Sequence, residues 1–392
     1  MLSSILLTYI KYLKIFTSFC AFWPFLSYRE SVALRILYAI FLISLVIPWV
    51  IHVYSVRNDI EGICDSLSLG LLIPLGIMNF IYIVKHEKVL QKILNHMSQD
   101  FYNVSENKQE LKILKESSDL TRLFTIVYLS YTLSTTLSYL VVTCTPLVLN
   151  KIKPLNVSRS IPILIELDYY FFDKKDYFFW TTVHLYITGS YGVFTVICCD
   201  LLLFAFAQHA CGMFKVLRYK LKVIMNHEDT PELSLTTSEM YKKACSCVIT
   251  HNRILELVND VNEVFSFCLL FSFGVVILLV AIHGSVVILK LHDVRFVLKE
   301  CITGFGQVFH LFLLCFVGEL VNNHSSNLNN YIYDFEWVDS SPEIKKLICI
   351  MLNRSYSNCS LCVGKTFVLS FDFFTTIMKT IFSYLNVLNS QR

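Results

Sequence analysis

The sequence predicts an all-α membrane protein: seven transmembrane helices, an N-terminus in the cytosol, a C-terminus outside, and a helical anchor bundle on the cytosolic side. Three observations carry that expectation. The first is composition: 55% of the 392 residues are hydrophobic and only 16% charged, where a soluble chain carries about a quarter; the mean hydropathy is +0.57. The second is a series of apolar runs long enough to cross a bilayer. The third is an uneven distribution of the little charge there is. With 12 Gly and 8 Pro, many short strands joined by tight turns are not expected. A net charge of +3 is too mild for a nucleic-acid-binding protein.

Crossing the hydrocarbon core takes roughly 20 apolar residues of helix. Seven runs qualify: 32–54, 63–84, 123–149, 178–207, 263–289, 296–317 and 363–388. Arg35 sits one turn inside the first, where it can snorkel to the interface. Pro48 and Pro74 fall inside helices and are expected to kink them. The last run is interrupted by Lys365, Asp372 and Lys379, so only its C-terminal part reads as lipid-depth, entered from a soluble helix below. Ahead of the spans, Lys11 and Lys14 break any signal-peptide core, and 5–25 reads as an amphipathic, interface-lying or re-entrant helix.

Lys and Arg set the orientation. The side holding the N-terminus carries 20 of them in its loops and the opposite side 10, counting Lys299 at the start of the sixth run. This places the N-terminus inside and the C-terminus outside, the reverse of a G-protein-coupled receptor. The cytosolic connections are also the long ones, about 38, 55 and 45 residues, and they show helical periodicity. Ile344, Leu347, Ile348, Met351 and Leu352 form one face after Ser341-Pro342, an N-cap followed by Pro at the first helical position. Cys245, Val248, Ile249, Leu255, Val258 and Val261 form a second, and Leu111, Leu114 and Leu120 a weaker third. Leu217, Leu221 and Ile224 continue the fourth span downward. These helices are expected to pack into one bundle rather than lie flat on lipid. The chain thus divides into an N-terminal segment (1–31), six spans with their extensions (32–330), an anchor segment (331–374) and a last helix (375–392).

Enzymatic signatures are missing: no HExxH, no phosphate-binding loop, no paired-Cys zinc spacing. No enzyme activity, metal or cofactor is expected. The fourteen Cys are scattered, several within apolar runs, which suits buried thiols. Cys359-x-x-Cys362 and Cys245-x-Cys247 read as helix thiols, and Cys198-Cys199 as inert. His283 and His292 read as interfacial anchors. Charge at mid-membrane depth is nearly missing, which speaks against a proton-coupled transporter. Of five glycosylation sequons (Asn103, Asn156, Asn323, Asn353 and Asn358), only Asn156 faces outside in this topology.

Both ends of the chain resemble insect odorant receptors. Tyr333-Asp334-Phe335-Glu336-Trp337 and Asp339-Ser340-Ser341-Pro342-Glu343 are similar to the segment before that family's last helix pair. Gly364-Lys365-x-Phe367 with Ser370-Phe371-Asp372-x-Phe374 resembles its penultimate segment. Thr380-Ile381-Phe382-Ser383-Tyr384-Leu385-Asn386-Val387-Leu388 resembles its terminal helix. Ala21-Phe22-Trp23-Pro24 is similar to its usual Gly-x-Trp-Pro, with Ala21 where Gly is common. Insect gustatory receptors share the fold, but they end in Thr-Tyr, five apolar residues and Gln-Phe. Here six residues separate Tyr384 from Gln391, and Arg392 replaces Phe. The family's coreceptor is longer, so the resemblance is to a ligand-tuned subunit.

The resemblance implies a tetrameric, ligand-gated cation channel in the plasma membrane of a sensory dendrite, assembled with coreceptor subunits. Subunit contacts would come from the cytosolic helices, with Tyr333, Trp337, Phe367 and Phe374 in the anchor. The last helix would line the pore, with Val387 at the hydrophobic gate, Ser390 one turn further out, and Ser383 and Asn386 as small polar lining. The residues alone also fit a plain packed helix with Asn386 hydrogen-bonded to a neighbour. The resemblance places the ligand in the outer half of the membrane. By depth, Leu71, Leu75, Tyr139, Thr143, Tyr186, Ser190, Tyr191, Thr303 and Phe305 are the expected lining, and no charge stands out there, which suits a small neutral volatile.

Overall fold

The computed structural model describes residues 4–153, 167–169, 177–225, 236–289, 294–333, 337, 340–356 and 359–390. Two short helices, α1 (Ser4–Tyr9) and α2 (Lys11–Phe19), open the chain. Part of their apolar face is turned to the protein, while Tyr12, Ile15 and Phe19 stay exposed. Leu6, Ile10 and Leu13 are buried in the main core, and Tyr9 stacks on Phe101 with ring centroids 6.2 Å apart. The chain leaves α2 through a left-handed residue, Ala21 (φ 61°). There Ala21 N–H donates to Ser18 and Phe22 N–H to Thr17, the pairing of a Schellman motif.

Helix α3 (Tyr28–Ser55) begins in a capping box between Ser27 and Glu30 and runs unbroken through Pro48. Ile36, Ile40, Ile43, Ile47 and Val50 form an exposed apolar stripe along it, a face for lipid rather than water. Arg35 is paired with Glu87 at 2.9 Å, so it is held by a partner as well as by its position. The second run is two helices, α4 (Ile60–Gly70) and α5 (Leu72–Lys85). Pro74 has no N–H for the Gly70 carbonyl, and the helix breaks at Leu71. Gly70 is pressed against Trp49, whose Nε1 a Cβ there would approach to 2.2 Å; that indole donates to Ser66 O at 3.2 Å.

Helix α6 (Glu87–Val104) follows directly and buries Leu90, Ile93, Leu94, Met97, Phe101 and Val104. Then come four long helices, α7 (Lys108–Ile152), α8 (Phe178–Met225), α9 (Thr237–Leu289) and α10 (Val294–Tyr333), of 45, 48, 53 and 40 residues. At 1.5 Å per residue they span about 60–80 Å, at least twice the roughly 30 Å hydrocarbon core. One half of each is therefore a span, and the other half belongs to a bundle beyond the membrane. The bundle is packed, as the periodicity required. α11 (Pro342–Ser355) starts at Ser341 with Pro at its first position, and its Ile344, Ile348 and Met351 are buried against Leu221, Ile224, Ala244 and Cys247. On α9 the buried face is Cys247, Ile254, Leu257, Val258 and Val261, while Ile249 turns outward.

Charged pairs tie the same bundle together. Lys92 meets Asp260 at 2.8 Å, Lys220 meets Glu110 at 3.6 Å, and Arg218 donates to His324 at 2.6 Å.

The seventh run, expected from 363, differs in its first third. Residues Cys362–Val363 (β1) and Phe367–Val368 (β2) form an antiparallel hairpin. Gly364 and Lys365, both near φ +60°, make its turn, with Thr366 N–H donating to Val363 O; two consecutive positive φ values are the type I′ geometry. The last helix, α12 (Phe371–Ser390), enters from this hairpin rather than from a soluble helix. Among the described residues six helical stretches are long and apolar enough to cross a membrane; α12, carrying Asp372 and Lys379, is not one of them.

Candidate functional site

A cavity of about 370 Å³ lies among α3, α5, α7, α8 and α10, with Val276 of α9 completing its wall. The α10 wall is Ile302, Thr303, Gly306, Gln307 and His310, one helical face; α7 contributes Tyr128, Tyr131, Thr132, Thr135, Thr136 and Tyr139; α8 contributes residues from Leu185 to Ile197. Among the described residues no Asp, Glu, Lys or Arg lines it. Of the residues expected there, Leu75, Tyr139, Tyr186, Ser190, Tyr191 and Thr303 do line it. Thr143 stands behind the wall, its hydroxyl 2.8 Å from that of Tyr186. Leu71 packs instead against the cluster of Leu75, Val275 and Leu279. Phe305 points away and is 72% exposed, because one residue along a helix turns the side chain by about 100° from the Gly306 face. The α3 wall (Tyr38, Phe41, Leu42 and Leu45) was not expected from depth alone.

The floor of the cavity holds what sequence reasoning missed. Asp200, within an apolar stretch of α8, accepts hydrogen bonds on Oδ2 from Tyr128 Oη and His310 Nε2, each 2.9 Å long. An ionisable residue inside a span is itself a signal of function, and Asp200 was available to be read that way. A second pair, His283 and Glu300, is buried between α9 and α10. His283 is thus a core residue rather than an interfacial anchor; His292 and Asn156 lie outside the described residues.

Helix α12 has two unlike faces. Ile377 and Ile381 are buried, and Leu385 packs beside Gly284 of α9. Ser383, Asn386, Val387 and Ser390 are exposed on the other face, Val387 at 55%. Asn386 has no hydrogen bond to a neighbouring helix among the described residues. The start of α12 is held by α10: Phe371 N–H donates to Glu319 Oε2 at 3.1 Å, and the Phe371 and Phe312 rings stack at 5.5 Å. Of the expected anchor residues, Trp337 and Phe374 pack on the core of their own chain, while Tyr333 and Phe367 are exposed.

All fourteen cysteines are free, and no metal-binding group of His, Cys, Asp and Glu occurs among the described residues. Cys359 and Cys362 sit on the segment entering the hairpin, not on a helix. Burial pushes the Cys359 thiol up to about 12, far from a thiolate.

The 7tm odorant receptor family model matches residues 59–382 of the chain. Over 363 residues, covering 87% of this chain and 82% of the relative, the sequence is 21% identical to putative odorant receptor 92a of Drosophila melanogaster. It is 26% identical to the odorant receptor coreceptor of Harpegnathos saltator over 145 residues, 35% of this chain and 29% of that one. The fold superposes on the insect olfactory receptor OR5 from Machilis hrabei, solved in complex with eugenol, with a TM-score of 0.73, 99% of both chains covered and 15% identity.

Proposed function

Because the chain belongs to the 7tm odorant receptor family, we propose that it is the ligand-tuned subunit of an odorant-gated, non-selective cation channel. It takes a small neutral volatile in the cavity among α3, α5, α7, α8 and α10, and works in the plasma membrane with coreceptor subunits, as a tetramer. The N-terminus lies in the cytosol and the C-terminus outside. The observation that carries this reading is the cavity itself: an apolar space closed by aromatic and hydroxyl side chains, free of lining charge, with the convergent polar groups of an orienting site. The olfactory receptor of the same fold was solved with eugenol bound, which supports a small-molecule site in this architecture.

Helix α10 is the element that connects the cavity to α12. Its residues 302–310 form one cavity wall; Phe312 and Glu319, further along the same helix, hold the N-terminus of α12. A ligand that prefers one position of α10 biases the position of α12 by its difference in affinity between the two. In the assembly the exposed face of α12 lines the pore, with Val387 as the apolar gate and Ser383, Asn386 and Ser390 as its polar lining. Tyr333, Trp337, Phe367 and Phe374 belong to the anchor that joins subunits.

The test is co-expression with a coreceptor in cells blocked for G-protein signalling. Odour-evoked cation current that survives the block supports a channel; current that disappears with it contradicts one. Gly306 lines the cavity, and a Cβ there meets nothing within 4 Å. Gly306→Leu therefore adds bulk at the cavity wall from a Cβ that meets no neighbour, and it should abolish the odour response while leaving surface expression intact.

A further inference from the structure

We infer that the ligands of this cavity are alcohols and phenols, and that His310 takes their hydroxyl; the inference rests on the cavity being the odorant site. An ionised carboxylate only accepts, and with Asp200 in that form Tyr128 Oη and His310 Nε2 both donate to it. His310 Nδ1 makes no hydrogen bond among the described residues, and the ring lines the cavity. Asp200 itself does not reach the wall: Tyr128 and His310 cover it. An amine would enter without a lining counter-charge, and an acid would meet only a His310 already paired with Asp200, which is costly at this depth.

A hydroxyl fits His310 in either state. Facing a neutral ring it donates to the Nδ1 lone pair; facing a charged ring it accepts from Nδ1–H. A carbonyl can do only the second. Thr132, Thr135, Thr136 and Thr188 spend their protons on carbonyls of their own helices, which leaves them able to accept but not to donate; the Tyr131, Tyr139 and Ser190 hydroxyls are the competitors on the walls. Gln307, one turn from His310 on the same face, offers an amide with no partner among the described residues. A site that must satisfy such groups rejects analogues lacking the hydroxyl.

The experiment measures binding to the purified receptor–coreceptor complex by ligand-induced thermal stabilisation. The probes are 2-phenylethanol, 4-ethylphenol, acetophenone, 2-phenylethylamine and ethylbenzene. The alcohol and the phenol should bind about 10- to 100-fold more tightly than ethylbenzene, the worth of one hydrogen bond to a polarised group. His310→Phe should erase that preference with ethylbenzene unchanged, and His310→Gln should restore part of it. Equal binding of ethylbenzene, preference for the ketone or the amine, or a preference surviving in His310→Phe overturns the assignment while leaving the cavity as the site. If no probe binds, or if Gly306→Leu leaves alcohol binding untouched, the assignment and the cavity reading fail together.

Discussion

Nε2 of His209 on α8 lies 3.1 Å from Oδ2 of Asp100 on α6, while Arg253 of α9 holds the other oxygen through Nε at 3.0 Å and Nη2 at 2.7 Å. One carboxylate thus joins three helices in the heart of the bundle. Burial pushes the Asp100 carboxyl up, but the hydrogen bonds and charges of His209 and Arg253 outweigh it, and the group is held below the usual carboxylate range. A depressed folded value means the stabilisation is complete above the unfolded value near 4 and is lost as pH falls through the folded one. Thermal unfolding in detergent, followed by circular dichroism because thiol-reactive dyes fail in acid, should therefore show no Asp100-dependent change between pH 7 and 5 and a steep acid limb below about 4. Asp100→Ala leaves buried partners uncompensated and should cost about 3 kcal/mol at pH 7, and it should flatten that limb. An acid limb as steep as in the parent would remove Asp100 from the account.

Ala21 occupies a backbone position made for glycine. Its φ of 61° closes the Schellman turn that drops Phe22 and Trp23 into the core. A Cβ in the left-handed region costs about 1–2 kcal/mol. Ala21→Gly relieves that but adds freedom to the unfolded chain, so a net gain of about 0.5–1 kcal/mol is expected. Ala21→Val, with a branched Cβ, should lose stability instead. A melting temperature that falls in the glycine variant would show that the turn is not strained.

Much of this fold was legible because apolar runs and helical periodicity are local. The six long spans, their continuation below the membrane and the Ser341-Pro342 start of α11 all follow from neighbours in sequence. Residues 5–25 were harder: their periodicity marks an apolar face but cannot say whether lipid or protein covers it. The hairpin was hidden inside an apolar run, since Cys362, Val363, Phe367 and Val368 are as greasy as a span, and Gly364-Lys365 is a weaker turn signal than Asn-Gly. Depth alone brought Tyr139, Tyr186, Ser190, Tyr191 and Thr303 to the cavity, because depth is set by position along a span. Rotation is not, which is why Phe305 faces outward. The floor was hardest, since Tyr128 and His310 meet Asp200 across 72 and 110 residues.

Gly318 marks the tightest contact between α10 and the segment that launches α12. A Cβ there would stand 2.1 Å from the Leu369 carbonyl oxygen, and that backbone is pinned, because Leu369 N–H donates to Leu361 O. Asn262 of α9 fixes the same hairpin as a further strand would, donating to Ser360 O at 2.9 Å and accepting from Cys362 N–H at 2.8 Å. Gly318→Ala should cost about 1–3 kcal/mol, and Asn262→Ala about 2 kcal/mol for two backbone groups left unpaired. Dye-monitored melting gives both values. Cys359 and Cys362, on the loosened segment, should also label faster; unchanged labelling in both variants would mean the hairpin is held by other contacts.

The two faces of α12 should respond oppositely to truncation. Ile381 is buried against the helices behind it, so Ile381→Ala should act as an ordinary core cavity, costing about 2–4 kcal/mol and lowering surface expression. Val387 faces away from its own chain, so Val387→Ala should leave stability within about 0.5 kcal/mol, the range of surface substitutions. Its effect should appear in currents from the complex with coreceptor. A smaller side chain widens the constriction and makes it less apolar, so it dewets less readily; basal leak should rise and the ligand concentration for half-activation should fall. Ser390→Ala, one turn further out, should alter permeation without raising the leak. Leak, conductance and ligand response all matching the parent in Val387→Ala would place the gate on some other element.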